Sequence, residues 1–212
     1  MGKEFIELFE EWAKTYDDTV TGHDEEYKDV FLYYDQLLQE VADRATGNVL
    51  EFGPGTGNLT AKLLKRNLTV IGIEPSKSMR EIAINKLQDK AKVLDGDFLN
   101  FQIDENVDTI VSSYAFHHLT DEEKSLAIEQ YGKMLPSGGK IVFADTMYES
   151  VDAYQKAITD ATEKGYHNLA EDLKREYYTT IPVLREIMRV NGFTVSFNRC
   201  NDFVWIMEGV KA

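Results

Sequence analysis

A glycine-rich turn is the part of this 212-residue sequence whose residue types point most directly to chemistry. It occupies residues 51–57, reads EFGPGTG, and follows a short apolar stretch. Glycines let a chain turn sharply and let a ligand approach the backbone closely. The N-terminus of the helix that follows offers unpaired N–H groups to a negative group. Because open α/β sheets bind ligands at the carboxyl ends of their strands, we predict a binding site here.

The spacing of the glycines indicates which ligand binds. The dinucleotide pattern G-x-G-x-x-G, aligned on Gly53 and Gly55, would place its third glycine at position 58, which is Asn58. The third glycine is instead Gly57, and the acidic Glu51 stands two residues before the first. This arrangement resembles the signature loop of class I S-adenosylmethionine (SAM) methyltransferases, and the resemblance implies that these residues contact SAM.

A second acidic residue lies at the spacing expected for ribose recognition. Glu74 ends the next predicted strand, 21 residues after Gly53, and about 20 residues separate the glycine loop from the ribose-binding carboxylate in nucleotide-binding folds. An ionised carboxylate only accepts hydrogen bonds, so it suits two adjacent hydroxyl donors. We therefore predict that Glu74 binds the ribose of the cofactor.

Further matches extend the resemblance over residues 47–146. The segment Asp97-Phe98 follows the third predicted strand, where the family reads adenine, and the resemblance implies this role for both residues. The segment 135–139, LPSGG, is also typical of the family. The chain is similar to small, uncharacterised bacterial SAM methyltransferases of the YrrT-like kind. This similarity implies SAM as cofactor and methyl transfer by in-line displacement.

Candidates for a general base are few. His117 and His118 follow the fourth predicted strand, and a base is needed only if the acceptor must lose a proton. Tyr16 is a third candidate, and its segment resembles one that closes over SAM in relatives, which implies a place near the methionine end. Side chains of adjacent residues are expected to point in different directions, so we predict no metal site at the two histidines.

The elements that position these residues follow from the hydrophobic periodicity. We predict strands over 48–52, 69–74, 91–94, 107–112, 140–145, 193–199 and 203–210, and helices over 3–14, 26–45, 58–66, 76–88, 121–134, 152–164, 167–178 and 181–191. Alternation of strands and helices predicts an α/β fold, a Rossmann-like, doubly wound, mainly parallel sheet. The last two of its seven strands form an antiparallel hairpin.

The chain is predicted to be a single methyltransferase domain with four parts. Residues 1–46 form an N-terminal helical cap and residues 47–146 the SAM-binding half. Residues 147–192 form a second helical cap, and residues 193–212 the C-terminal hairpin. The acceptor would then lie between the glycine loop and the two caps.

Composition restricts the partners. The 37 acidic residues outnumber the 23 basic ones, so binding to a phosphate backbone is disfavoured and no nucleic-acid partner is expected. With one cysteine, no signal-like N-terminus and no long apolar run, we expect a soluble, cytoplasmic chain without a membrane partner.

The acidity is concentrated at the N-terminus. Residues 1–46 hold 13 acidic and 4 basic residues. A solvated outer surface explains most of them. The alternative is that acids between the first two predicted helices favour a cationic acceptor at the mouth of the site, namely Asp17, Asp18, Asp24 and Glu25.

Three functions remain open at this point. The first is an enzyme that methylates a small molecule with SAM. The second is an NAD-dependent oxidoreductase, which the glycine spacing disfavours, and the third is a non-catalytic SAM-binding module that shares every cofactor motif. The sequence names neither the acceptor atom nor the oligomeric state.

Overall fold

The computed structural model describes Glu10, Ala13, residues 16–20 and residues 24–212. Seven helices of eight or more residues occur in this part of the chain: α1 (Tyr34–Arg44), α2 (Asn58–Lys65), α3 (Lys77–Leu87), α4 (Asp121–Met134), α5 (Val151–Glu163), α6 (His167–Arg175) and α7 (Ile181–Val190). The strands are β1 (Asn48–Phe52), β2 (Thr69–Ile73), β3 (Lys92–Leu94), β4 (Thr109–Ser113), β5 (Lys140–Tyr148), β6 (Thr179–Thr180), β7 (Phe193–Arg199) and β8 (Val204–Lys211). The helix predicted over 3–14 lies outside the described residues except for Glu10 and Ala13.

The strands form one sheet in the order β3-β2-β1-β4-β5-β8-β7, with β6 added beside the end of β5. Strands β1 to β5 run parallel, and β8 pairs antiparallel with both β5 and β7. The predicted α/β fold with a C-terminal hairpin is therefore confirmed. The chain reverses its winding between β1 and β4, so the carboxyl ends of these two strands flank the crevice where open sheets bind ligands.

Apolar layers on both faces hold the sheet in place. Phe52 and Tyr131 stack at 5.1 Å on one face, within a core contributed by α4 and α7. Leu38 and Leu59 pack on the other face, where α1 and α2 cover the sheet. Helix α4 begins at its predicted residue because Thr120 and Glu123 form a reciprocal capping box. Apolar cores on both faces of the sheet thus hold β1 and β4 in place.

The structure corrects the helix predicted over 26–45. Residues 25–33 form turns instead, and α1 begins only at Tyr34, because Tyr33 takes a left-handed conformation with φ of 64°. A left-handed residue interrupts a right-handed helix. Between the first two predicted helices, where no element was predicted, the structure has part of a helical turn, Tyr16–Asp18.

The second cap differs from its prediction at one functionally important point. The helix predicted over 167–178 ends at Arg175, and the chain then extends into the two-residue strand β6 beside Tyr148. Strand β5 is correspondingly longer than predicted, since it continues past Asp145 to Tyr148. The two changes bring residues 176–178 back over the sheet. None of the helices in the described residues is long and apolar enough to cross a membrane.

Candidate active site

The glycine loop leaves β1 in a conformation that favours glycine. Gly53, Gly55 and Gly57 have φ values of 65°, 56° and 88°, in the left-handed region. A Cβ added to Gly53 would lie 2.8 Å from the Cβ of Ala115, whereas one added to Gly55 meets no atom within 4 Å. Gly55 therefore faces open space, as the close approach of a ligand requires.

Glu74 lies directly against this loop. Its Oε2 accepts a hydrogen bond from the Gly55 backbone N–H at 2.9 Å, and its Oε1 accepts one from the Ser76 N–H at 2.9 Å. Burial raises the pKa of Glu74 to about 7, although both backbone hydrogen bonds oppose that rise. Each carboxylate oxygen keeps a second lone pair, so the geometry allows ribose hydroxyls as further donors.

Glu51 lies behind the loop. Its Oε2 accepts a hydrogen bond from the Thr60 hydroxyl at 2.6 Å, while its Oε1 is buried and accepts none from the described residues. Burial raises the pKa of Glu51 to about 8, because the Thr60 hydrogen bond offsets only part of the lost hydration. Glu51 and Gly57 do not line the cavity beside the loop, so the structure does not place them against a bound cofactor.

That cavity, here called the loop cavity, is a cleft beside the glycine loop that opens to solvent. Its lining includes five of the predicted cofactor residues: Gly53, Gly55, Glu74, Asp97 and Phe98. The structure therefore brings together six of the eight predicted cofactor residues, Tyr16 included.

Asp97 and Phe98 are held in place by their own contacts. The Asp97 Oδ1 accepts backbone hydrogen bonds from Leu99 at 2.9 Å and Asn100 at 2.8 Å, which close a turn. Phe98 stacks on Phe52 with ring centroids 5.1 Å apart. Both residues therefore present fixed surfaces to the loop cavity, and their contact with adenine stays a prediction.

The N-terminal segment docks onto the glycine loop through Asp17. Its Oδ1 accepts hydrogen bonds from the Thr56 hydroxyl at 2.6 Å and the Asn58 amide at 3.0 Å. The Lys86 ammonium lies 3.2 Å from its Oδ2. This docking places the neighbouring Tyr16 at the wall of the loop cavity.

The other acids of the N-terminal loop have local partners where the structure describes them. Asp24 caps the Glu26 backbone N–H at 3.0 Å, and Glu25 pairs with Lys28 at the surface. The side chain of Asp18 lies outside the described residues. Neither Asp24 nor Glu25 lines the loop cavity, and an attraction of these acids for a cationic acceptor stays a prediction.

A second cavity adjoins the first and is here called the cap cavity. It lies between the sheet and the two caps and also opens to solvent. Three residues line both cavities: Tyr16, Tyr114 and His118. A further cavity beside α5 shares no residue with the loop cavity. The loop cavity and the cap cavity are therefore neighbours that share part of their lining.

His117 lies between two carboxylates at the edge of the cap cavity. Its Nδ1 is 2.5 Å from Asp145 Oδ1, and its Nε2 is 3.3 Å from Glu176 Oε2. The Asp145 Oδ2 also accepts the His117 backbone N–H at 2.9 Å, and the ring stacks on Tyr178. Burial disfavours the charged ring, but the two carboxylates outweigh it and raise the pKa of His117 to about 10.

The two histidines consequently differ in charge. Burial and the positive His117 lower the pKa of His118 to about 3, so His118 is neutral at physiological pH. A protonated ring has no lone pair, so the predicted role of His117 as a general base does not fit this geometry. His118 keeps a lone pair at the boundary of the two cavities, although it is a weak base.

The expectation that the two histidine side chains point in different directions is wrong. Their ring centroids are 4.1 Å apart, because residues 116–118 form a short 3₁₀ turn. One ligand atom each from His117, His118 and Glu176 lies within 4.8 Å of the others, as a metal site would require. Since both nitrogens of His117 already face carboxylates, the cluster is satisfied as a buried ion-pair network.

Several residues of the site were missed by the sequence analysis. Asp145 is the last residue of the strand predicted over 140–145, and Glu176 was placed inside a predicted helix. Lys124 is buried in α4 and donates to the Tyr177 carbonyl at 2.6 Å, which helps fix residues 176–178. Only the position of Asp145 at a strand end on the ligand side gave a signal.

Comparison with known proteins identifies the family of the chain. Residues 49–139 match the methyltransferase domain family. An uncharacterised methyltransferase of Bacillus cereus (strain ATCC 14579) is 56% identical over 211 residues, and one of Geobacillus sp. (strain WCH70) is 57% identical over 212 residues. Both matches cover the whole of each chain.

Solved structures show the same fold. Magnesium protoporphyrin IX methyltransferase of Synechocystis PCC 6803 with bound S-adenosylhomocysteine (SAH) superposes with a TM-score of 0.72 at 18% identity, over 95% of this chain and 96% of that one. Its SAM-bound form gives a TM-score of 0.67 at 16% identity, over 98% and 97%.

The fold and the loop cavity define a class I SAM-binding α/β protein. The chain belongs to the methyltransferase family, and it is a SAM-dependent methyltransferase. Family membership decides against an NAD-dependent oxidoreductase. The roles of single site residues remain predictions.

A first prediction concerns Glu51. Its raised pKa means that stability is highest while the buried carboxyl is protonated and is lost as the pH rises from about 4.5 through about 8. Glu51→Gln removes this titration, so we expect its free energy of unfolding to fall less between pH 6 and pH 8, by about 1–2 kcal/mol. Urea denaturation at both pH values measures the difference. The exposed Glu163→Gln is the control, and an unchanged pH dependence in Glu51→Gln would contradict the prediction.

Proposed function

We propose that the chain transfers the methyl group of SAM to a small molecule bound in the cap cavity. The observation that carries this proposal is the shared wall of the two cavities, formed by Tyr16, Tyr114 and His118. A molecule in the cap cavity would meet the loop cavity at this wall. Methyl transfer needs the acceptor atom to lie in line with the methyl carbon, so the two reactants must bind next to each other.

The residues of the chain bind and align the two reactants. SAM supplies a methyl group activated by its sulfonium charge. The glycine loop and Glu74 would hold its nucleoside part, while Asp97 and Phe98 would hold the adenine. The aromatic rings of Tyr16 and Tyr114 exclude water from the shared wall.

A small molecule suits the acceptor site better than a polymer. The cap cavity is lined by residues of both caps, so an acceptor must be small enough to enter between them. The acidic composition disfavours a nucleic-acid acceptor. The Synechocystis neighbour is named for a small molecule, which supports the class by analogy of fold alone.

Two measurements test the proposal. Isothermal titration with SAM and SAH should show stoichiometric binding to the full chain. Incubation with methyl-labelled SAM and a mixture of metabolites should then yield a labelled product of low molecular mass. Binding without any transferred label would instead favour a non-catalytic SAM-binding module, and no binding at hundreds of micromolar would exclude the proposal.

A further inference from the structure

The cap cavity combines aromatic rings with two carboxylates and the protonated His117, whose charge Asp145 offsets from outside the cavity. Its lining includes Tyr27, Phe31, Tyr114, Tyr178, Asp172 and Glu176. Aromatic faces attract cations through their quadrupole, and carboxylates do so through their charge. The same combination repels anions. The lining therefore favours a ligand that is positively charged when it arrives.

The two carboxylates lie at the C-terminal end of α6, where a negative charge is unfavourable. Asp172 is in the last turn, and Glu176 follows the final residue. The C-terminus of a helix carries partial negative charge, so carboxylates there raise the free energy of the folded chain unless a cation is near. Burial and the neighbouring Glu176 raise the pKa of Asp172. At Glu176 the charge of His117 outweighs burial and lowers the pKa to about 2, so the unfavourable acid is Asp172.

The side chains that already pair with Asp172 and Glu176 do not cancel the negative charge of the cap cavity. Asp172 accepts the Tyr27 hydroxyl and, at its Oδ1, the Arg175 guanidinium at 2.5 Å. The Arg175 side chain is 51% exposed, so solvent screens its charge more strongly than that of Asp172, which is 16% exposed. Glu176 Oε2 accepts the Tyr178 hydroxyl at 2.6 Å and faces His117, while Asp145 balances that histidine from outside the cavity.

The weakness of the bases at the site further limits the chemical class of the acceptor. His118 is a weak base because its pKa is lowered to about 3, and His117 is already protonated. Neither can remove a proton from an alcohol, whose pKa is far higher. An alkylammonium, whose pKa resembles that of lysine at about 10, loses a proton far more easily than an alcohol and then presents a neutral nitrogen lone pair. The cavity thus suits a nitrogen nucleophile that is cationic in solution.

We propose that the methyl acceptor is a small organic amine, bound as its ammonium form between Asp172 and Glu176 and methylated on nitrogen. The ammonium passes one proton to the Asp172 carboxylate, which reaches solvent. The neutral nitrogen then forms a bond to the methyl carbon while the sulfur–carbon bond breaks and its electron pair stays on sulfur. The products are a methylated ammonium and SAH. This inference rests on the proposed function and adds the substrate class.

The test measures binding to the SAH-loaded full chain with matched probes. Three amines are compared with alcohols of the same size: phenethylamine with 2-phenylethanol, tryptamine with tryptophol, and cyclohexylamine with cyclohexanol. We expect at least one amine to bind about tenfold more tightly than its alcohol, as a charged hydrogen bond provides. With SAM in place of SAH, that amine should become N-methylated.

Variants locate the origin of the preference. Asp172→Asn keeps an acceptor for Tyr27 but removes the charge, so the preference for the amine should disappear. Glu171→Gln lies on the same helix with an exposed side chain paired to Lys174, and it should keep the preference. Unchanged SAH affinity in both variants shows that they are folded. Glu176→Gln is the second variant at the site.

The outcomes separate this inference from the proposed function. If no amine binds more tightly than its alcohol, or if the preference survives in both Asp172→Asn and Glu176→Gln, the substrate class is wrong. Methyl transfer to a thiol, alcohol or carboxylate would then leave the proposed function standing. Failure of the native chain to bind SAH would overturn both.

Discussion

Replacement of Gly55 by arginine is expected to abolish SAM binding while the chain remains folded. Gly55 lines the loop cavity, and an added Cβ meets no atom within 4 Å, so a long side chain can extend into the open space beside the loop. We expect the affinity to fall by about a hundredfold or more, equivalent to about 2.7 kcal/mol. Isothermal titration with SAM and SAH measures the loss.

A matched control separates blocked binding from backbone strain. Gly138 also has a left-handed φ, 80°, and its Cβ would likewise meet no atom within 4 Å, but it lies in the turn before β5. Each arginine imposes a similar strain of about 1–2 kcal/mol. Gly138→Arg should therefore lower thermal stability to a similar extent and leave SAM affinity unchanged. Equal losses of affinity in both variants would show that the loop does not hold the cofactor.

The sequence predicted the cofactor half well because local chemistry determines it. The turn at Gly53 to Gly57 needs left-handed backbone, which glycine alone adopts freely, and the need is visible in residue types. The spacing to Glu74 follows from one strand–helix–strand unit, whose length varies little. The helix over 121–134 carries the signal for its start at its own N-terminus, in the capping box of Thr120 and Glu123.

The acceptor half could not be predicted, because long-range contacts determine it. Glu176 meets His117 only because α6 ends at Arg175 and the chain returns beside β5. The helical periodicity continued through 178, and pairing of β6 with β5 overrode it. The late start of α1 at Tyr34 also involves a long-range contact, since Asn201 donates hydrogen bonds to the carbonyls of Val30 and Leu32 in the preceding turns.

Removal of Asp145 is expected to be the most damaging single change to stability at this site. Asp145 accepts the His117 backbone N–H at 2.9 Å and contacts the ring Nδ1 at 2.5 Å, with a side chain only 3% exposed. Asp145→Ala leaves a buried imidazolium with one carboxylate instead of two. Breaking a buried ion pair by removing one partner costs about 3–5 kcal/mol. Urea denaturation at pH 7 measures the loss.

The pH dependence distinguishes the ion-pair network from simple loss of packing. The pKa of His117 is raised to about 10 from an ordinary value near 6.5, so its contribution to stability is complete below pH 6.5 and is lost as the pH rises through 10. Asp145→Ala should therefore be most destabilised relative to the native chain near neutral pH, with a smaller difference above pH 10.

The exposed Asp160→Ala, which breaks only a surface pair with Lys156, should cost under about 1 kcal/mol at every pH. A loss in Asp145→Ala that does not change with pH would mean that His117 is neutral in the folded chain, and Asp145 would then act through hydrogen bonding alone.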